Sequence, residues 1–176
     1  MRRWALPRRF VVSGCSGGGK SALIDALAAS GFAVVPEPGL RIVRAGGPMP
    51  WDDPAGFARA ALAMALQDWE QSADLPGPVF FDRGLIDAAA ALHQATGSPL
   101  SGEVGLGRRY ESPVFLTPPW SEIHVTTTER RHGFAAAVAE YDRLAALYPA
   151  LGYRTVILPR LPLAERLALM LAQIAG

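Results

Sequence analysis

Short apolar runs that do not alternate with polar residues recur along the chain. Each is followed, after a few glycine, proline or acidic positions, by a stretch whose apolar residues return every three to four places. The first pair is Arg9 to Ser13 (RFVVS), a β-branched run, and Ser21 to Ser30 (SALIDALAAS), with Leu23, Ile24 and Leu27 on one helical face. Gly31 stops that helix, and Ala33 to Pro36 reads as a second buried strand ending at Glu37. A helix then starts at a cap of Asp52 or Asp53, with Pro54 near its first turn. It runs to about Ser72 with Phe57, Ala61, Met64 and Ala65 on its buried face. Pro78 to Asp82 (PVFFD) is a third strand, and Asp87 to Ala95 is helical after it. Gly97 to Gly107 reads as a loop or mobile segment. Pro113 to Thr117 makes a fourth strand, and Gly133 to Tyr148 a helix with Phe134, Val138, Tyr141 and Leu144 on one side. Arg154 to Leu158 makes a fifth strand, and Leu163 to Ile174 a closing helix.

Strands alternating with helices predict an α/β fold of three layers, α/β/α, around a five-stranded parallel sheet. Ligands of such sheets bind beyond the carboxyl ends of the strands. Those ends carry Gly14, Glu37, Asp82, Thr117 and Pro159.

Composition narrows the picture. A chain of 176 residues, 50% hydrophobic and 19% charged, is long enough for one well-packed domain. No segment approaches the roughly 18 uninterrupted apolar residues of a membrane helix, so a soluble protein is expected. The basic start, MRRWALPRRF, leads into an apolar run broken at Ser13 and Lys20 with no cleavage site, and it reads as the lead into a strand. The arginines are scattered and the net charge is +1, which makes no case for a nucleic-acid surface. The single cysteine, Cys15, cannot form an internal disulfide and fits a reducing cytoplasm. Of the 17 basic residues only Lys20 is a lysine; every other is an arginine.

That lysine sits in GCSGGGKS, comprising Gly14, Cys15, Ser16, Gly17, Gly18, Gly19, Lys20 and Ser21, which fits the phosphate-binding loop G-x-x-x-x-G-K-[ST] between a strand and a helix. Glycines let successive backbone N–H groups and the positive end of the helix approach phosphates. Lys20 adds a compact charge between the β- and γ-phosphates, where the wide fork of arginine does not fit. The Ser21 hydroxyl is offered to Mg²⁺. Cys15, near a helix N-terminus, is either a thiol of lowered pKa or a tolerated small residue.

Asp82 ends an apolar strand, the usual place for an acid that holds Mg²⁺, or else it is a turn residue. Arg83 lies over the same site as a clamp on acceptor or phosphoryl group, or is solvated. Glu37, followed by Pro38, is either a base facing the γ-phosphate from the acceptor side or a surface glutamate. Arg41 and Arg44, on the turn after it, bind an anionic substrate or form a solvated face. Glu129, Arg130 and Arg131 fall in an expected mobile lid around 121–133, where arginines neutralise transferring charge; the alternative is a charged helix start. His93, His124 and His132 show no metal spacing. The tryptophans read as packing, Trp120 alone lying near the expected nucleotide edge. A guanine-specific GTPase is excluded, because its N-K-x-D motif needs a second lysine. A large AAA+ motor would carry Glu where Arg83 stands.

The stretches FVVSGCSGGGKSAL, VVPEPGLRIV, FFDRGLIDAAA, RRYESPVFLTPPW and TTTERRHGF resemble small bacterial P-loop proteins grouped with the AAA-family ATPases, similar to the ribosylnicotinamide kinase domain of NadR-type enzymes. The resemblance covers nearly the whole chain and implies a nucleoside-kinase-like fold. It implies Glu37 as base, by the E-P pair, and Asp82 with Arg83 as the metal and acceptor pair.

The reading that follows is an enzyme using ATP and Mg²⁺ to phosphorylate a hydroxyl of a small metabolite, nucleoside- or riboside-like. Lys20, Glu37, Asp82, Arg83, Arg130 and Arg131 are its catalytic set, and Ser21 and Asp82 its metal ligands. The alternative is a nucleotide-dependent switch that engages a protein partner, or a simple nucleoside triphosphatase. Replacing Lys20 by Ala is expected to abolish ATP binding or turnover, read by nucleotide titration and ADP release.

Overall fold

The computed structural model describes residues 7–100, 108–125 and 133–175. Five parallel strands form one sheet: β1 (Arg9–Gly14), β2 (Ala33–Val35), β3 (Val79–Asp82), β4 (Val114–Thr117) and β5 (Thr155–Ile157), in the order β2-β3-β1-β4-β5. Among the described residues six α-helices connect and cover them: α1 (Lys20–Ala29), α2 (Pro38–Arg44), α3 (Pro54–Gln71), α4 (Leu85–Thr96), α5 (Phe134–Ala150) and α6 (Leu163–Ile174), with a short 3₁₀ turn, Ser72–Asp74, after α3.

The central strands are covered on both sides, which is why their sequences do not alternate. Phe10, Val12, Phe80 and Phe115 pack toward Leu23, Ile24 and Leu27 of α1 and Met170 and Ile174 of α6. Val11, Val79, Phe81, Val114 and Leu116 face the opposite way, toward α3, α4 and α5. These are the three expected layers. Successive residues of one strand thus serve two cores, and a slip of one residue would exchange them.

Each helix predicted from periodicity is present, the closing one with the predicted bounds and the others with ends moved by one to two residues. Asp53 caps α3, its carboxylate accepting the N–H of Gly56 at 2.9 Å. The buried face of α3 is carried by Ala58, Ala61, Leu62, Ala65 and Trp69, rotated slightly from the expected Phe57 and Met64, which are partly exposed. Along α5 the buried positions are Ala137, Leu144 and Tyr148, while Phe134, expected on that face, is exposed.

The main difference is α2, where the sequence suggested a turn. Pro38 at its first position needs no N–H there, and its fixed φ favours the start, so seven residues suffice once Ile42 is buried. Glu37 keeps the extended conformation (φ −55°, ψ 122°) expected before a proline. Arg41, on this helix, forms an ion pair with Asp68 of α3 and so fastens α2 to its neighbour. The expected lid, including Arg130 and Arg131, lies largely outside the described residues, as do Trp4 and residues 101–107. No helix among the described residues is long and apolar enough to cross a membrane.

Phe80 is fully buried at the sheet centre, stacked on Phe10 at 5.6 Å and met edge-on by Phe32 at 5.5 Å. Phe80→Ala is expected to remove about 3–5 kcal/mol of stability. In a protein of this size that lowers the thermal midpoint by roughly 10 °C, measured by circular dichroism.

Candidate functional site

β1 leads straight into the glycine loop. Gly14 has φ +122°, and a Cβ there would collide with the backbone carbonyl of Thr117 on the adjacent β4, so the turn at the end of β1 admits only glycine. Gly19, with φ +76°, opens α1; a Cβ on it would come within 2.7 Å of the Arg166 guanidinium. Ser16, Gly17, Gly19, Lys20 and Ser21 of this loop line a cleft, and the N–H groups of such a loop suit an anion. Cys15 is fully buried. Its thiol points at the Thr117 carbonyl, 3.9 Å away, and burial pushes its pKa up, so the activated thiol is not realised.

The parallel register pairs Val12 of β1 with Asp82 of β3, and β2 lies on the other side of β3. The ends of the three strands therefore converge. Lys20 Nζ stands 2.7 Å from Asp82 Oδ1 and 3.8 Å from Glu37 Oε2, and the lysine side chain is 4% exposed. Removing its charge would leave two acids facing each other at the head of the sheet.

Arg83 follows Asp82 with φ +64°, a left-handed conformation costly for a residue with a Cβ. Its N–H donates to the Val12 carbonyl at 3.0 Å. The sharp turn sends the side chain back over the loop, where three carboxylates meet it. Glu140 takes both Nη1 (2.9 Å) and Nη2 (3.2 Å), Glu37 lies 3.3 Å from Nε, and Asp87 3.8 Å from Nη1. Burial alone would lower the pKa of this guanidinium; Glu140, Glu37 and Asp87 more than reverse it and hold it well above the usual value. Glu140 shows the converse: burial would raise its pKa, but the charge and hydrogen bonds of Arg83 bring it below the usual carboxylate range.

Asp87 ties this cluster to the frame. It accepts from Ser13 Oγ at 2.5 Å, from the Tyr148 hydroxyl and from the Gly84 N–H at 3.1 Å, joining β1, α4 and α5. Burial pushes its pKa up against the pull of Arg83 and these donors. The Tyr110 hydroxyl accepts the Leu85 N–H at 3.0 Å and so satisfies the start of α4.

Lys20, Glu37, Asp82 and Arg83 are thus brought together. Glu140 and Asp87 were missed. Glu140 had a signal, being the charged member of the stripe Ala137, Glu140, Leu144, Tyr148, spaced as one helical face. Asp87 looks like an ordinary first-turn acid of α4. His124, read as structural or surface, lies against the loop: a Cβ on Gly17 would fall 2.5 Å from its Nδ1. Trp120 lies under the guanidinium of Arg166, 5.7 Å from the ring centre, and Arg166 donates to the Gly18 carbonyl at 3.1 Å.

A second cleft, bordered by Pro38, Phe57, Arg83, Ala88 and Ala91, adjoins the first, and both include Ser16 and Glu37. For a divalent ion, Asp82 supplies a buried carboxylate, its Oδ1 paired with Lys20 Nζ at 2.7 Å, and Ser21 a hydroxyl at the cleft wall. These hard donors suit Mg²⁺. Among the described residues no three His, Cys, Asp or Glu side chains gather into a metal cage, so such an ion would take most ligands from phosphate and water.

The profile of the family described as AAA domain matches residues 9–166, and the chain belongs to that family. The fold is shared with solved structures of a deoxyadenosine kinase. It is similar to deoxyadenosine kinase from M. mycoides with bound dATP, at 11% identity and TM-score 0.70, covering 96% of this chain and 100% of that one. The same kinase with the products dCMP and a flexible dCDP bound gives 10% identity and TM-score 0.62, covering 95% and 98% of the two chains. With dCTP bound it gives 10% identity and TM-score 0.63 over the same shares. No curated protein matches the chain.

Because Glu140 has a depressed pKa in the folded state, its pair with Arg83 stabilises the protein above the ordinary carboxylate pKa, and that contribution is lost as pH falls through the folded value. Glu140→Gln is expected to lower stability by about 1–2 kcal/mol near neutral pH. The gap to the parent should close as pH falls below the ordinary carboxylate range, measured by urea unfolding at neutral and acid pH.

Proposed function

We propose that this member of the AAA-domain family is an ATP- and Mg²⁺-dependent phosphotransferase that moves the terminal phosphoryl group of ATP to a hydroxyl of a small nucleoside- or riboside-like metabolite. The observation that carries the reading is the junction of the two clefts at Ser16 and Glu37. The cleft of the glycine loop suits polyphosphate, and the neighbouring one, apolar at Phe57, Ala61 and Ala88, suits an organic acceptor. A carboxylate standing where donor and acceptor spaces meet has the position a general base needs.

In this reading the loop amides and Lys20 bind the phosphates, with Lys20 released in part from Asp82 and Glu37 to do so. Ser21 and Asp82 hold Mg²⁺, which supplies charge neutralisation when bound. Glu37 accepts the proton of the acceptor hydroxyl as its oxygen bonds to the γ-phosphorus. The bond from that phosphorus to the bridging oxygen breaks, and ADP leaves. Arg83, fixed by its carboxylates, orients the transferred group. Arg130 and Arg131, in the lid proposed around 121–133, add charge at closure. The same proposal makes the chain one domain working in the cytoplasm, whose reducing conditions suit the buried Cys15.

ADP release from Mg·ATP, measured alone and with a panel of nucleosides, ribosides, sugars and amino alcohols, tests this. Release is expected to rise several-fold with one acceptor class and to be lost in Glu37→Gln. Slow release indifferent to every acceptor and to Glu37→Gln would instead identify a nucleotide switch or a hydrolase.

A further inference from the structure

We infer that Glu140 is a built-in competitor for the terminal-phosphate end of the nucleotide site, occupying the Ser16 amide and the Arg83 guanidinium until a triphosphate takes them. The inference rests on the nucleotide-binding half of the proposed function and not on the acceptor.

Ser16 belongs to the glycine loop, whose amides face anions, yet its N–H donates to Glu140 Oε2 at 3.3 Å. The same oxygen takes Arg83 Nη2 at 3.2 Å, and Oε1 takes Nη1 at 2.9 Å. A carboxylate bridging a loop amide and a guanidinium has the donors a phosphoryl oxygen would use. Ser16 is also the loop residue shared by the phosphate and acceptor clefts, so the phosphate bound there is the terminal one.

Charge requires one acid to yield. Arg83 already faces Glu37, Asp87 and Glu140, and a further anion beside these would be repelled. Glu140 is the one that yields at least cost. Its side chain is 33% exposed, against 19% for Glu37 and 3% for Asp87, so water can solvate it on release. It also has somewhere to go. Glu140 borders a further cleft between α3, α4 and α5 whose wall carries Arg143, one turn along the same helix. Arg143 makes no ion pair among the described residues, and the i,i+3 spacing lets it receive the freed carboxylate. Triphosphate binding thereby exchanges an internal salt bridge for one along α5 and leaves Glu37 and Asp87 holding Arg83.

A diphosphate that does not reach Ser16 and Arg83 displaces nothing. The test is therefore a calorimetric comparison of Mg²⁺ with a non-hydrolysable ATP analogue against Mg²⁺ with ADP, on the parent and Glu140→Gln. The analogue is expected to bind Glu140→Gln tighter by roughly five-fold or more, with ADP affinity unchanged. An equal gain for both nucleotides would reduce Glu140 to a long-range charge and overturn the inference. Unchanged or weakened analogue binding would overturn it as well. Should Glu140→Gln fail to fold by circular dichroism, Glu140→Asp is read by the same criterion, being too short to bridge both donors. A parent protein that binds the analogue but answers no acceptor fails only the phosphotransferase reading; one that binds neither nucleotide fails both.

Discussion

The guanidinium of Arg83 is the charge around which the head of the sheet is assembled. Three acids from three separate parts of the chain, Glu37 after β2, Asp87 in α4 and Glu140 in α5, approach it within 2.9 to 3.8 Å. Asp87, 3% exposed, would not be stable at such depth without a positive partner. The strained backbone at Arg83 is the cost of aiming the side chain inward, and the ion pairs offset it. Asp87 then carries the arrangement outward through Ser13 and Tyr148, so the cluster is braced by the same strand that begins the glycine loop.

The strand order explains why these groups meet. With β1 between β3 and β4, and β2 beyond β3, the carboxyl ends of β1, β3 and β2 stand side by side. Glu37 and Asp82, 45 positions apart in sequence by their numbering, become joint partners of one lysine. Parallel pairing is what makes this automatic, because every strand then delivers its last residue to the same edge.

Much of this was legible beforehand. Unalternating runs such as RFVVS and PVFFD announce strands covered on both faces, and the glycine loop announces its own conformation because few residues other than glycine tolerate positive φ. Glu37, Asp82 and Arg83 could be named because they end strands. What escaped depended on tertiary packing. The helix α2 is too short for periodicity to reveal and exists because Ile42 is buried and Arg41 finds Asp68. Glu140 is 124 residues from Ser16, and no local pattern says that a helix far along the chain will return to the loop. Its place in an apolar stripe was the available clue. The left-handed turn at Arg83 had none, since nothing about arginine announces it.

Confinement of the only lysine to this interior has a consequence for chemical labelling. The outside of the protein offers no ε-amine, because every other basic side chain is an arginine and Lys20 is 4% exposed. Amine-directed acylating and aldehyde reagents that decorate most proteins at many lysines therefore meet one side-chain amine here, at the bottom of the cleft. The extent of its modification becomes a direct gauge of whether that cleft is open or filled.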